Sequence, residues 1–161
     1  MKVYRPTRQL LADVECLLAA NRPDAHGSPL EDVIDLLCRG RHYAWVGVFL
    51  AVPDSAIQPA MATGSLDEVT LPETRSKILV TMKLPSRELG VLGVESDRVN
   101  AFGAQDRVLL EAVADALARF LAGNGKYLVR RVRKLRTENQ ELTTRDRNQR
   151  QRTRVSAPHT S

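Results

Sequence analysis

Apolar residues recur at helical spacing in the first forty positions of the chain. Within residues 7–20, "TRQLLADVECLLAA", they stand at i, i+1, i+4, i+7 and i+8, the stripe of an amphipathic helix with one buried face. A second stripe runs from Pro29 to about Arg39, with Ser28 as the N-cap and Gly40 as the stop. The inward side chains of the two predicted helices are Leu10, Leu11, Val14, Leu17, Leu18, Leu30, Val33, Ile34, Leu37 and Cys38.

From residue 43 the pattern becomes that of strands. Residues 43–52, "YAWVGVFLAV", form a continuous β-branched and aromatic run, typical of a strand buried on both faces. Residues 57–64, "IQPAMATG", predict a weaker strand, which Pro59 places at a sheet edge. The alternating stretch "SKILVTMKL" turns through "PSR" into "ELGVLGVES", which predicts an antiparallel hairpin.

The strongest helical pattern in the chain is "RVLLEAVADALARFLAG", residues 107–123. One broad face of this helix carries Leu109, Leu110, Val113, Leu117, Phe120 and Leu121. The predicted order of elements is two helices, four strands with an antiparallel centre and a further helix. This order predicts an α+β fold with the helices on one face of the sheet.

The stretch "LGVLGVESDRVNAFGAQDRVLLEAVADALARFL" resembles the C-terminal signature of GAF domains. That signature is a glycine-rich strand with a small or acidic end, a loop with asparagine before phenylalanine, and an aspartate that opens a Leu/Ala-rich helix. The matching features are Gly90, Gly93, Glu95 to Asp97, Asn100, Phe102, Asp106 and Leu109 to Ala118. The run "YAWVGVFLAV" also resembles the first strand of the family, so the similarity covers about Pro29 to Leu121.

This resemblance implies a GAF-like antiparallel sheet with N- and C-terminal helices packed on one face and a small-molecule pocket on the other. Members of the family usually sense cyclic nucleotides, bilins, haem or small metabolites, or serve as dimerising spacers in signalling proteins. Here the segment 64–76, "GSLDEVTLPETRS", is shorter than the lid that usually covers the ligand in pocket-bearing members.

The positive charge of the chain is concentrated at its C-terminal end. The whole sequence has a net charge of +5, but residues 126–161 hold 11 Lys and Arg against 3 acids, which leaves 13 against 16 for residues 1–125. The predicted organisation is a GAF-like domain at 1–125, a basic helix with a short coiled coil at 126–145, and a disordered basic tail at 146–161.

The basic helix also carries a heptad pattern, with apolar residues and one asparagine spaced 4, 3, 4 and 3 apart. The asparagine falls at an a position, which favours two parallel helices in one register. The predicted seam consists of Leu128, Val132, Leu135, Asn139 and Leu142. It predicts a homodimer that is held mainly by the domain helices and extended by this segment.

Basic side chains crowd the same helix and predict a second kind of contact. Like charges three or four residues apart destabilise a helix, and phosphates would relieve that repulsion. The candidate anion-contacting residues are Arg130, Arg131, Arg133, Lys134 and Arg136. Nonspecific nucleic-acid binding is therefore an alternative function.

The catalytic signals in the sequence are weak. His26, His42 and His159 have no metal-ligand spacing, so no metal or cofactor is predicted. Cys16 and Cys38 lie in predicted helices, although free methionine sulfoxide reductases are GAF proteins that work through thiolates. The acidic pair Glu95 and Asp97 is interpreted as a solvated strand end, and Trp45 as a core residue.

The leading hypothesis is a non-catalytic GAF-like signalling or regulatory module that homodimerises and binds a small ligand or protein partner. A nucleic-acid-associated protein and a thiol-dependent free methionine sulfoxide reductase are the alternatives. The N-terminus lacks the long apolar core of a secretory signal, and no apolar run reaches the length of a membrane span. We therefore expect a reduced, cytoplasmic protein.

Overall fold

The computed structural model of the chain describes residues 4–21, 28–51, 74–130, 141–145 and 147–149, and the backbone of 58–62. The chain divides into two compact units, Met1–Tyr127 and Leu128–Ser161. In the second unit, residues 128–130, 141–145 and 147–149 are helical.

The first unit contains the predicted elements in the predicted order. Its helices are α1 (Thr7–Ala20), α2 (Pro29–Gly40) and α3 (Ala104–Ala122). Its strands are β1 (Trp45–Leu50), β2 (Gln58–Ala62), β3 (Ser76–Leu84) and β4 (Arg87–Ser96). None of the helices in the described part of the chain combines the length and the apolarity that a membrane crossing needs.

The four strands form one antiparallel sheet in the order β2-β1-β4-β3. The hairpin predicted for β3 and β4 is confirmed, and β2 lies at an edge, as Pro59 predicts. In the middle of the sheet, β4 pairs with both β1 and β3. Each residue in the middle of β4 therefore has a partner on either side.

The two faces of the sheet differ in composition, as the alternation in β3 shows. Ile78 and Met82 are buried, whereas Lys77, Leu79 and Thr81 between and beside them are exposed. α3 packs against β3 and β4, and side chains beneath a packed helix are buried. The helices therefore cover the face of the sheet that carries Ile78 and Met82. The other side chains on that face, all fully buried, are Val46, Val48, Leu50, Leu92 and Val94. The α+β fold with helices on one face is thus confirmed.

Local chemistry explains where two of the helices begin. Asp106 of α3 accepts a hydrogen bond from the backbone N–H of Gly103 at 3.0 Å, which stabilises the first turn. At α2, Ser28 occupies the predicted N-cap position, but its hydroxyl makes no capping hydrogen bond. The start of α2 rests instead on Pro29, whose fixed φ suits the first helical position.

Candidate functional site

The sheet face that points away from the helices, here called the distal face, is built from three rows of cross-strand partners. Antiparallel partners directly opposite one another point to the same side of a sheet. The register of β1, β4 and β3 therefore aligns Trp45 with Glu95 and Lys77, Gly47 with Gly93 and Leu79, and Phe49 with Val91 and Thr81.

Trp45 lies across the middle of the distal face, over two glycines. A Cβ atom at Gly47 would lie 2.3 Å from Cη2 of the indole, and one at Gly93 would lie 3.4 Å from Cζ3. The Phe49 ring packs beside the indole, with 5.8 Å between ring centroids. Trp45 is 4% exposed, so the prediction of a packed tryptophan is confirmed. The glycines are needed because any side chain at Gly47 would occupy the space of the indole.

Glu95 forms the polar part of the distal face. Its side chain is 1% exposed, and its Oε1 lies 3.0 Å from Nζ of Lys77, whose side chain is 28% exposed. Its Oε2 accepts a hydrogen bond from the Thr74 hydroxyl at 2.5 Å. The prediction that Glu95 lies at a solvated strand end is wrong, because cross-strand pairing places it inside the sheet; Asp97 is exposed, as predicted.

This ion pair fixes a cation beside the apolar side chains of the distal face. A buried carboxylate is costly unless it is paired and hydrogen-bonded, so Glu95 holds the Lys77 ammonium in place. Lys77 is the member of the pair that solvent reaches, and Leu79 beside it is 58% exposed. The arrangement suits a small ligand with a negatively polarised oxygen and an apolar part.

Both cysteines of the chain lie away from the distal face. Cys16 is exposed on α1 and Cys38 is half-buried on α2, and neither forms a disulfide. The helices cover the opposite side of the sheet, so the structure does not bring either thiol to Lys77 and Glu95. Among the described residues, no group of three or more His, Cys, Asp and Glu side chains is placed to hold a metal ion.

A second polar cluster joins the ends of the helices. The Arg41 guanidinium is 1% exposed, lies 4.2 Å from the centroid of the Tyr4 ring and donates to the Thr7 hydroxyl at 2.6 Å. Its Nη1 lies 3.8 Å from Oδ1 of Asp106, which also accepts a hydrogen bond from the Tyr43 hydroxyl at 2.9 Å. Burial, and then the charge and hydrogen bond of Asp106, raise the pKa of Tyr43. This cluster fixes the starts of α1 and α3 against the end of α2.

The residues predicted for the seam and for anion contacts all lie in the second unit. Leu128, Leu142 and Arg130 are among the described residues, and Leu142 is 62% exposed. The other predicted positions, Val132, Leu135, Asn139, Arg131, Arg133, Lys134 and Arg136, lie outside the described residues, as does most of the short segment 64–76. The homodimer seam and the nucleic-acid contact therefore stay predictions.

Lys77, Thr74 and Arg41 are among the residues of these clusters that sequence reasoning missed. Lys77 was predicted only as part of the polar row of its strand, and nothing local to it indicates a buried partner 18 positions later in the chain. The available signal was Glu95, an acidic residue that directly follows the apolar run "LGVLGV" of β4, which implies a cation on a neighbouring strand.

Comparison with known proteins shows which fold this is. No family model and no curated protein matches the sequence. Among solved structures, the chain is similar to a free methionine-R-sulfoxide reductase from Neisseria meningitidis in complex with its substrate, with a TM-score of 0.64 and 18% identity over 79% of this chain and 99% of that one. It is also similar to the corresponding protein of Staphylococcus aureus, again with substrate, with a TM-score of 0.59 and 16% identity over 75% of this chain and 99% of that one. The fold of this chain is GAF-like.

These neighbours correct the functional hypothesis. Both are reductases and therefore enzymes, so the interpretation of the chain as a non-catalytic signalling or regulatory sensor is wrong. The resemblance to the GAF fold was sound, but the choice among the activities found on that fold was not.

Proposed function

We propose that this chain is a reductase of free methionine sulfoxide and that the substrate binds at the distal face. The observation that carries the proposal is the structural likeness to two such reductases over 99% of the length of each. The distal face is built by β1, β3 and β4, which belong to the one antiparallel sheet of the fold.

The residues on this face suit the chemistry of a sulfoxide. The sulfoxide oxygen is negatively polarised and has to leave the sulfur as water, so a hydrogen-bond donor at that oxygen assists the reaction. Lys77 is a solvent-reachable cation in the rows of this face; it is paired with Oε1 of Glu95, whose Oε2 accepts a hydrogen bond from Thr74. In this proposal the Lys77 ammonium donates to the sulfoxide oxygen and stabilises the charge that develops as the sulfur–oxygen bond breaks.

The apolar part of the substrate has a matching surface next to this cation. Phe49 and Leu79 retain exposed area on the distal face, and the edge of Trp45 packs against Phe49. The methyl and methylene groups of the side chain would lie on this surface, where sulfur and aromatic rings make favourable contacts. The face thus offers the substrate a polar contact and an apolar one side by side.

Turnover of free methionine-R-sulfoxide with a thiol reductant, measured as methionine released, tests the proposal. Lys77→Met should lower turnover by about 100-fold, since removing one group that stabilises developing charge costs about that much. Lys77→Arg, which keeps the charge, should retain part of the activity. Lys83→Met is the matched control, because Lys83 is an exposed lysine on the same strand that lies outside the three rows of the face.

Loss of the lysine leaves Glu95 buried beside a neutral side chain, which by itself would reduce stability. The double variant Lys77→Met/Glu95→Gln removes both charges and separates this effect from catalysis. If that variant folds and turns over at the wild-type rate, Lys77 does not act on the substrate. If the wild-type chain itself releases no methionine, the proposed activity is wrong.

A further inference from the structure

The two oxygens of the Glu95 carboxylate contact different kinds of group. Oε1 lies 3.0 Å from Nζ of Lys77, and Oε2 accepts a hydrogen bond of 2.5 Å from the Thr74 hydroxyl. This distance is at the short end for a hydroxyl that donates to a carboxylate, and such bonds are about twice as strong as those between neutral groups. The carboxylate is therefore shared between a cation and a neutral donor.

The backbone on both sides of the hydroxyl contact is held by the sheet. The N–H of Arg75 donates to the carbonyl oxygen of Ser96 at 2.9 Å, and the N–H of Ala44 donates to the carbonyl oxygen of Glu95 at 2.9 Å. Thr74 directly precedes Arg75, and its branched Cβ restricts the rotation of its side chain. The Thr74 hydroxyl is therefore a donor in a fixed position at Oε2.

Lys77 is the more mobile partner of the carboxylate. A lysine ammonium has three N–H donors on a flexible four-carbon stem, so it can contact either carboxylate oxygen or bridge both. The Glu95 side chain is only 1% exposed, and a buried carboxylate oxygen that loses its donor is costly. Without the Thr74 hydroxyl, the ammonium would therefore be drawn from Oε1 toward Oε2.

We propose that Thr74 is a positioning residue of the distal face, whose hydroxyl occupies Oε2 of Glu95 and thereby keeps the Lys77 ammonium at Oε1. This inference rests on the proposed function, in which that ammonium donates to the sulfoxide oxygen. Thr74 itself touches neither the substrate nor the lysine in this proposal. It acts on turnover through the orientation of one carboxylate.

Thr74→Val tests the inference, because valine keeps the branched shape and removes only the donor. Turnover of free methionine-R-sulfoxide with a thiol reductant should show a kcat lowered by about tenfold, as expected for a hydrogen bond to a charged group. The KM should stay within about twofold of the wild type, since the contact that is lost acts on the charge that develops in the transition state. Thr74→Ser, which restores the hydroxyl, should recover most of the kcat.

Ser76→Ala is the matched control for a hydroxyl lost at the same end of β3. The Ser76 hydroxyl donates to the carbonyl oxygen of Arg98 at 2.7 Å and accepts a hydrogen bond from the N–H of Ala101 at 3.3 Å. These bonds hold the loop after β4 and leave the carboxylate of Glu95 untouched. The kcat of Ser76→Ala should therefore lie within about twofold of the wild type.

A second comparison shows whether Thr74 acts through the ion pair. Thr74→Val should lower the kcat of the wild type but should have no further effect in Lys77→Met/Glu95→Gln, which already lacks both charges. A purely structural role would lower the kcat by the same factor in both backgrounds.

The outcomes separate the positioning role from the proposed function. A wild-type kcat in Thr74→Val, an equal loss in Ser76→Ala, or an equal loss in the background without the ion pair would overturn the positioning role and leave the reductase standing. A wild type that releases no methionine would overturn the proposed function and the inference with it. Should Thr74→Val fail to fold, Thr74→Ala replaces it.

Discussion

Replacement of Gly47 by alanine should disturb the packing of Trp45 in a way that can be measured directly. The new Cβ atom would lie 2.3 Å from Cη2 and 2.7 Å from Cζ2 of the indole. Ordinary contact between carbon atoms is about 3.5–4.0 Å, so the indole has to move by about 1 Å or more. The rigid ring cannot relieve this overlap by bending, and it must leave its place over the glycine.

The expected loss of stability follows from two opposing effects. Overpacking of this kind costs about 1–3 kcal/mol. Replacing a glycine by alanine within a strand recovers about 0.5–1 kcal/mol, because the unfolded chain loses freedom. We therefore expect Gly47→Ala to lower the free energy of unfolding by about 1–2 kcal/mol.

Gly93→Ala is the matched control, because Gly93 is the cross-strand partner of Gly47. Its Cβ atom would lie 3.3 Å from Cδ2 of Leu79 and 3.4 Å from the rings of Phe49 and Trp45, which need to move by only a few tenths of an ångström. The overlap and the gain in chain entropy then nearly cancel. The stability of Gly93→Ala should lie within about 0.5 kcal/mol of the wild type.

Urea unfolding followed by fluorescence provides the assay, since Trp45 is the only tryptophan in the sequence. The midpoint should fall for Gly47→Ala at an unchanged slope, and the emission of the folded variant should shift as the indole moves. A Gly47→Ala protein with the wild-type midpoint and emission would refute this account of the distal face. Equal losses of unfolding free energy in the two variants would show that overlap with the indole is not what makes Gly47 sensitive.

Three further predictions concern other parts of the chain. The pKa of Tyr43 is raised from its ordinary value of 10.0, so the stability that its neutral form provides is fully present below about pH 10 and lost above it. The urea midpoint should therefore fall more steeply at high pH for the wild type than for Tyr43→Phe, and parallel curves for the two proteins would contradict this. The full chain should sediment as a dimer at micromolar concentration and dissociate more readily when truncated after Gly125; a monomer in both forms would remove the predicted seam. Affinity of the chain for DNA or RNA should fall steeply between about 50 and 200 mM salt, and salt-independent or absent binding would remove the nucleic-acid contact.

The regular elements of the fold could be predicted because each leaves a local pattern. The stripe of apolar residues in α1 predicts residues 7–20, and α1 spans Thr7–Ala20. The alternation in β3 also predicts its two faces, since Ile78 and Met82 are buried and their neighbours are exposed. These features depend on residues close together in the chain.

The polar pair of the candidate site could not be predicted in this way, because it depends on a register that the turn does not determine. The hairpin pairs Leu84 with Arg87, and a straight count back from that pair would set Lys77 opposite Val94. A shift in register between Met82 and Lys83 moves the partner of Lys77 to Glu95. A change of one residue transfers side chains to the other face of a sheet, so this irregularity creates the ion pair.

The function was harder to predict than the fold for a related reason. The GAF-like fold carries sensors and enzymes alike, and fold alone does not decide between them. In the sequence, Cys16 and Cys38 fall in predicted helices, which counted against a thiol-dependent activity. In the structure, both cysteines lie on helices, across the sheet from Lys77.

The most direct test of the account follows the two epimers of free methionine sulfoxide during incubation with the wild-type chain and dithiothreitol. Chromatography that resolves the epimers should show the R form disappearing, an equal amount of methionine appearing, and the S form unchanged. Equal, slow loss of both epimers at the rate seen without protein would contradict the claim that this chain is a free methionine sulfoxide reductase.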